Sequence, residues 1–281
     1  MSKVITYRII TFLFIAFSIS GCLPDPLPVN DVPVAQKTVV VGSQNLPDQF
    51  LVVSLTENFG ALDAGPDSDL EEILNDVLIT GIDVNVEVNN EEYPLNNNGF
   101  GLYIGNDVPE ITGATYTLNF ISPFNQLPVT ASTQLPEFIG FDSLNVYVNE
   151  TPFDTLISVD MRIQDPPQKN WYMINVQTFN EDFDIQERPY VELLEDSEFN
   201  GTTYNHQFVT PFQDYVTGDT VLVSMANITE EYYNFLEIRK DNRFSLLDGL
   251  GEPVNYPSNV ENGIGFFHVH QSDIRLFILV E

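Results

Sequence analysis

The sequence predicts a mainly β protein, built as two antiparallel β-sandwich-like domains with one or two short helices. Three observations predict it. Apolar and polar residues alternate with a period of two along several stretches, the pattern of strands with one buried and one wet face. Turn-forming residues separate those stretches at short intervals, which favours antiparallel sandwiches over an alternating α/β fold. The composition, 43% hydrophobic with 21 Phe and 12 Tyr, is rich enough to fill packed cores and excludes global disorder.

The alternation is clearest in three places. Ile82, Val84, Val86 and Val88 alternate with Asp83, Asn85 and Glu87. Tyr116, Leu118 and Phe120 alternate with Thr115, Thr117 and Asn119, and Ile157, Val159, Met161 and Ile163 with Ser158, Asp160, Arg162 and Gln164. Further strands are expected at 38–41, 50–55, 171–179, 221–226, 265–270 and 275–280. Turns are expected at Asn89-Asn90, Asn96-Asn97-Asn98-Gly99, Asp165-Pro166-Pro167 and Asn200-Gly201. Two segments have a helical period. In 69–78, Leu70, Ile73, Leu74, Val77 and Leu78 share a face behind an acidic start. Thr229 is placed to cap a second helix reaching about Asn242, with Glu230 and Glu231 in the first turn and Arg239 and Lys240 in the last. Tyr232, Phe235, Leu236 and Arg239 lie on one side of it, so both helices are read as packing on sheets. Leu135-Pro136-Glu137 interrupts the strand pattern and divides the body into domains at 37–135 and 136–281.

The first 22 residues state a location. Lys3 and Arg8 precede the apolar run from Ile9 to Ile19, which is too short to span a bilayer and suits a signal peptide at 1–21. Ile19-Ser20-Gly21-Cys22 fits a bacterial lipobox, and Cys22 is the single cysteine of the chain. Its thiol is the expected lipidation site, so the membrane is a partner through a lipid anchor. Residues 22–36 hold four prolines and read as a semi-rigid tether. Leu23 stands where an inner-membrane retention signal would place Asp, which favours the outer membrane.

The 41 acidic and 10 basic residues leave a formal charge of −31. Such a field repels phosphate backbones, so nucleic acid is excluded as a partner. No nucleophile elbow, zinc-protease helix or phosphate loop occurs. Carboxylate pairs such as Glu181/Asp182/Asp184 carry no information among so many acids. No catalytic residue, metal ligand or cofactor is therefore assigned, and the chain is read as not an enzyme. His268-Val269-His270 puts two imidazoles on one strand face, where an exposed pair without a role is a commoner arrangement than a metal site. Asp63, Asp67, Asp69, Glu71 and Glu72 lack the spacing of a calcium loop and read as a solvated acidic stretch. Asn259 and Gly263 read as turn residues. Asp142-Ser143-Leu144, Asp154-Thr155-Leu156 and Asp219-Thr220-Val221 match a short O-glycosylation pattern of exported proteins, with Ser143, Thr155 and Thr220 as acceptors; turn chemistry at a strand start is the alternative.

Several stretches together carry a family likeness. They are Tyr93-Pro94-Leu95, Gly113-Ala114-Thr115-Tyr116-Thr117-Leu118, Ile163-Gln164-Asp165-Pro166-Pro167 before Trp171-Tyr172, and Phe199-Asn200-Gly201. The strongest are the run from Ile228 to Leu236 and the run from Pro257 to Phe267. In these the chain resembles the Bacteroidota lipoproteins of domain-of-unknown-function family 4249, over nearly its whole length. The resemblance implies an outer-membrane lipoprotein commonly encoded beside a TonB-dependent receptor, with a first domain like a transthyretin or Ig-type sandwich. It implies no substrate. Residues 60–80 form an acidic insertion relative to that pattern, and His268 and His270 depart from it. The function expected is a non-catalytic binding accessory of a TonB-dependent nutrient uptake receptor, with aromatic loop residues as the contact surface and the ligand unknown. The alternative is a structural or adhesive cell-surface lipoprotein.

Overall fold

A computed structural model of the chain describes residues 36–46, 50–59, 73, 75–150, 155–180, 189–212, 218–241 and 255–279. The signal segment, Cys22, the tether, most of the acidic stretch and Glu181/Asp182/Asp184 lie outside the described residues. In chain order the strands are β1 (Val39–Leu46), β2 (Phe50–Glu57), β3 (Val84–Val88), β4 (Glu91–Asn97), β5 (Leu102–Gly105), β6 (Thr115–Ile121), β7 (Pro128–Gln134) and β8 (Ser143–Glu150). They continue as β9 (Thr155–Gln164), β10 (Trp171–Phe179), β11 (Tyr190–Glu195), β12 (Thr203–Phe212) and β13 (Thr220–Ile228). After helix α1 (Glu230–Asp241) come β14 (Val260–Glu261), β15 (Ile264–Phe266) and β16 (Ser272–Ile278). The fold is mainly β and sandwich-like, as the periodicity predicts.

Nine strands form one sheet in the order β14-β7-β6-β3-β4-β5-β2-β1-β15. It bends at β4, which pairs with β3 from Glu91 to Leu95 and with β5 through Asn96 and Asn97. The two ends of the sheet, β14 and β15, are consecutive in the chain and joined by the turn at Asn262-Gly263. The sheet therefore closes almost into a barrel around Val41, Val53, Leu55, Val86, Tyr103, Leu118 and Val129. Val84, Val86 and Val88 face this core while Asn85 and Glu87 are only half-buried, the alternation read from the sequence.

The second sandwich packs β12-β9-β8 against β11-β10-β13-β16. Ile157, Val159, Met161 and Ile163 of β9 meet Tyr172, Ile174 and Val176 of β10 and Val221, Val223 and Met225 of β13. The other face of β10 and β13 is covered too: Met173, Ala226 and Ile228 pack on Tyr232 and Tyr233 of α1. Burial on both faces explains why 221–226 is nearly continuously apolar instead of alternating. Thr229 caps α1, its Oγ1 accepting from Tyr232 N at 3.3 Å.

The late segment 259–270 belongs to both halves. β14 pairs with β7, and β15 runs parallel to β1, with Val41 opposite Gly265. Phe267 and Val269 then enter the first core, while Phe266 joins the cluster under α1. Asn259 staples the return, donating to Phe267 O at 2.7 Å and accepting from Phe267 N at 2.9 Å. In the turn, Asn262 takes the left-handed conformation (φ 56°), and Gly263 is needed for space, since a Cβ there would lie 2.8 Å from Val260 Cγ1. Gly265 has φ 105°, and a Cβ on it would overlap the Val41 carbonyl. Gly265→Ala is expected to lower the unfolding free energy by about 3 kcal/mol. Urea unfolding of the two proteins measures the difference.

Candidate functional site

Titratable side chains concentrate at two buried places. The first is the extended segment after β15. Alternation sends Phe267 and Val269 into the first core and turns His268 and His270 to the opposite side, where they are 4% and 6% exposed. This corrects the expectation of an exposed pair. A period of two states that successive residues face opposite ways; it does not state that both sides are covered, and here α1 supplies the second cover. The Tyr232 ring lies on His268 with centroids 3.5 Å apart, and His268 stacks on His270 at 5.1 Å with the planes 6° apart. Ser43 Oγ accepts from His268 N at 2.7 Å, donates to His268 O at 2.8 Å and lies 3.1 Å from His268 Nδ1. His270 N donates to Asn45 Oδ1 at 3.2 Å, whereas His270 Nδ1 is buried without a partner. Rings stacked face to face aim their nitrogens in parallel rather than at one point. Among the described residues no three His, Cys, Asp or Glu side chains are grouped to hold a metal ion.

The second place ties four segments together. Asp165 and Asp196 are 1% and 0% exposed. Asp165, after β9, accepts from Gly201 N at 2.7 Å and from the Tyr172 hydroxyl. Asp196, after β11, accepts from Asn170 N at 2.6 Å. Each loop thus supplies the carboxylate that satisfies a backbone N–H of the other. Asn227 at the end of β13 donates to Asn170 Oδ1 at 3.0 Å and to Glu137 O at 3.1 Å, adding the segment between the sandwiches. Burial raises the Asp196 carboxyl above its usual range, and one of its oxygens lacks a partner. The Tyr172 hydroxyl is raised by burial first and by Asp165 second. The sequence pointed to this place through the turns expected at Asp165-Pro166-Pro167 and Asn200-Gly201 and through the likeness at the same stretches. Asp196 had no signal of its own in so acidic a chain.

At the rim between β11 and β12, Tyr204, His206 and Phe208 form a stacked row that continues to Tyr190. Glu192 lies 3.6 Å from His206 Nε2 and 3.8 Å from Lys240 Nζ. The His206 contact, with help from the Tyr190 hydroxyl, holds its carboxyl below the usual range. The three glycosylation candidates fall in different settings. Ser143 opens β8 and is exposed, and Thr155 opens β9. Thr220 opens β13, buried between Phe179 of β10 and Ile278 of β16.

The profile of the domain of unknown function DUF4249 matches residues 27–274. The chain belongs to this family. The likeness quoted for it falls on structure-forming places: the paired Asp loops, the capped helix and the return segment. No curated protein matches the chain in sequence. Among solved structures, a Bacteroides uniformis beta-glucuronidase 2, covalently bound to cyclophellitol-6-carboxylate aziridine, is similar over 53% of this chain and 21% of its own, at 14% identity and TM-score 0.25. The chain thus spans about a fifth of that enzyme's length.

The histidine stack makes stability depend on pH. Burial lowers His270 from 6.5 to about 4, and lowers His268 well below its usual value, with His270 adding to the shift. The unfolded chain binds these protons first, so stability is complete above pH 6.5 and is lost as pH falls towards 4. His270 alone is expected to cost about 3 kcal/mol over that range. Asp196, whose carboxyl burial raises, works in the opposite direction, so the loss read between about pH 6.5 and 5 is that of the histidines less any gain from Asp196. Denaturant unfolding across that interval should show stability falling with pH, and His270→Phe should flatten the slope.

Proposed function

We propose that this DUF4249 protein is a lipid-anchored, non-catalytic binding accessory of the outer membrane, docked on a TonB-dependent receptor for nutrient uptake. The observation that carries the non-catalytic reading is where the reactive groups lie. Asp165, Asp196, His268 and His270 are between 0% and 6% exposed and are held by internal contacts, out of reach of a substrate in solution. A general acid or base must come within hydrogen-bond distance of the group it serves. The family likeness supports the receptor partner, and the lipobox ending at Cys22 supports the anchor. More than one acyl chain at Cys22 makes attachment stable, at about 0.8 kcal/mol for each buried methylene.

Two measurements test this reading. Palmitate labelling and fractionation should place the chain in the membrane, and Cys22→Ala should remove both label and attachment. Mild-detergent purification of the lipidated protein from its own membranes should then recover a TonB-dependent receptor in near-stoichiometric amount. A folded, membrane-bound protein recovered alone would replace the uptake role with the adhesive or structural one.

A further inference from the structure

The chain enters the folded body at Lys37, and the surface around that entry has a distinct character. Lys37 Nζ lies 2.9 Å from Glu57 and 5.8 Å from the centre of the Phe124 ring, and Thr38 N donates to Asn58 Oδ1 at 2.7 Å. These contacts bring the start of β1, the end of β2 and the β6–β7 turn to one pole of the first sandwich. The β14–β15 turn joins them, with Asn262 Nδ2 donating to Pro128 O at 2.9 Å and Ile264 opposite Val40. So does the β4–β5 turn, where Gly101 O accepts from Leu55 N at 2.8 Å. Five large apolar side chains are left exposed on this pole: Phe59, Phe100, Ile121, Leu127 and Ile264.

Phe100 is the informative one. It is 75% exposed and has φ 52°, between Gly99 at 78° and Gly101 at 68°. A bulky side chain is disfavoured in the left-handed region, and an exposed ring gains little from solvent. The turn nevertheless fixes it there. A Cβ on Gly101 would lie 2.6 Å from Leu55 O, so the backbone is seated directly against β2. Strain that the fold does not need, placed at a rigid tip, marks a contact residue.

The charges described on this pole are Glu57, Asp76, Asp83 and Glu261 against Lys37, which Glu57 already engages. We propose that this pole is the docking surface for a membrane-held partner protein, whose contact face is apolar and rimmed by lysine and arginine. The acidic rim opposes a phosphate-bearing lipid surface and a second copy of the chain alike. The fifteen residues from Cys22 to Gln36 reach at most about 50 Å, so an anchor at Cys22 keeps this pole near proteins embedded in the same membrane. The inference rests on the anchored, receptor-docking role proposed above.

The test uses the lipidated full chain and the receptor that co-purifies with it. Phe100→Asn removes the ring and places a residue that tolerates the left-handed region, so its melting temperature should equal or exceed that of the wild type. Its dissociation constant for the partner should rise by about tenfold or more. Leu127→Asp should act likewise, whereas Leu276→Asp, at an exposed site on β16, should stay within about twofold. Raising salt from about 50 to 500 mM should weaken the wild-type complex. Pole variants that bind like the wild type, or a complex indifferent to salt, overturn this surface and leave the docking role standing. Wild type recovered alone overturns the docking role and this surface with it. Phe100-dependent binding of the Cys22→Ala chain to phosphatidylcholine vesicles would assign the pole to lipid and overturn the protein partner.

Discussion

The return of residues 259–270 to the first sandwich is the constraint on which the rest of the structure depends. Without β14 and β15 the large sheet would end in two open edges, at β7 and β1, each a row of unpaired backbone groups. One short segment covers both, because its two strands sit on either side of a tight turn. The same residues supply Phe267 and Val269 to one core and Phe266 to the cluster under α1. The return segment thus contributes to two separate hydrophobic clusters, and helix α1 is seated on a surface that the first sandwich helps to build.

Polar groups reinforce the arrangement where apolar packing alone would not fix a register. Ser43 and Asn45 read the backbone of His268 and His270, and so set which residues of the return segment face which way. The reciprocal carboxylates Asp165 and Asp196 do the same for the loops of the second sandwich. Buried polar groups are costly unless paired, which makes such contacts selective for one arrangement. Each place keeps one atom without a partner, on His270 and on Asp196, and there the protein concedes some stability.

Function is read from the opposite location. The titratable groups Asp165, Asp196, His268 and His270 are interior, while the exposed Phe59, Phe100 and Ile264 cluster where the chain enters the fold. A strained, outward Phe100 costs the isolated protein, and the docking proposed above gives it a role. The strong negative charge repels phosphate backbones and, for the docking proposed above, narrows the partner to one able to complement it.

Much of the architecture was legible in the residues alone. The span 171–179 coincides with β10, and Thr229 marks the start of α1, because local periodicity and capping are properties of neighbouring residues. The left-handed turns at Asn89-Asn90 and Gly201 were equally local. Less was legible of β4, β5, β7, β8, β11 and β12, and the strand expected at 265–270 ends at Phe266. Asn145 and Asn205 weaken the strand propensity of β8 and β12, and the half-buried pattern of β11 lacks alternation. The two-residue β14 exists only through its partner β7. The burial of His268 and His270, the reciprocal bonding of Asp165 and Asp196 to each other's loops and the gathering of Phe59, Phe100 and Ile264 at one pole all join residues distant in sequence. The sequence by itself determined the strand and helix propensities, the charge and the family likeness, since those reside in short stretches and composition. Only the tertiary structure decided which faces are covered twice, which acids are interior and which apolar residues stand together, because long-range packing brings those groups into contact.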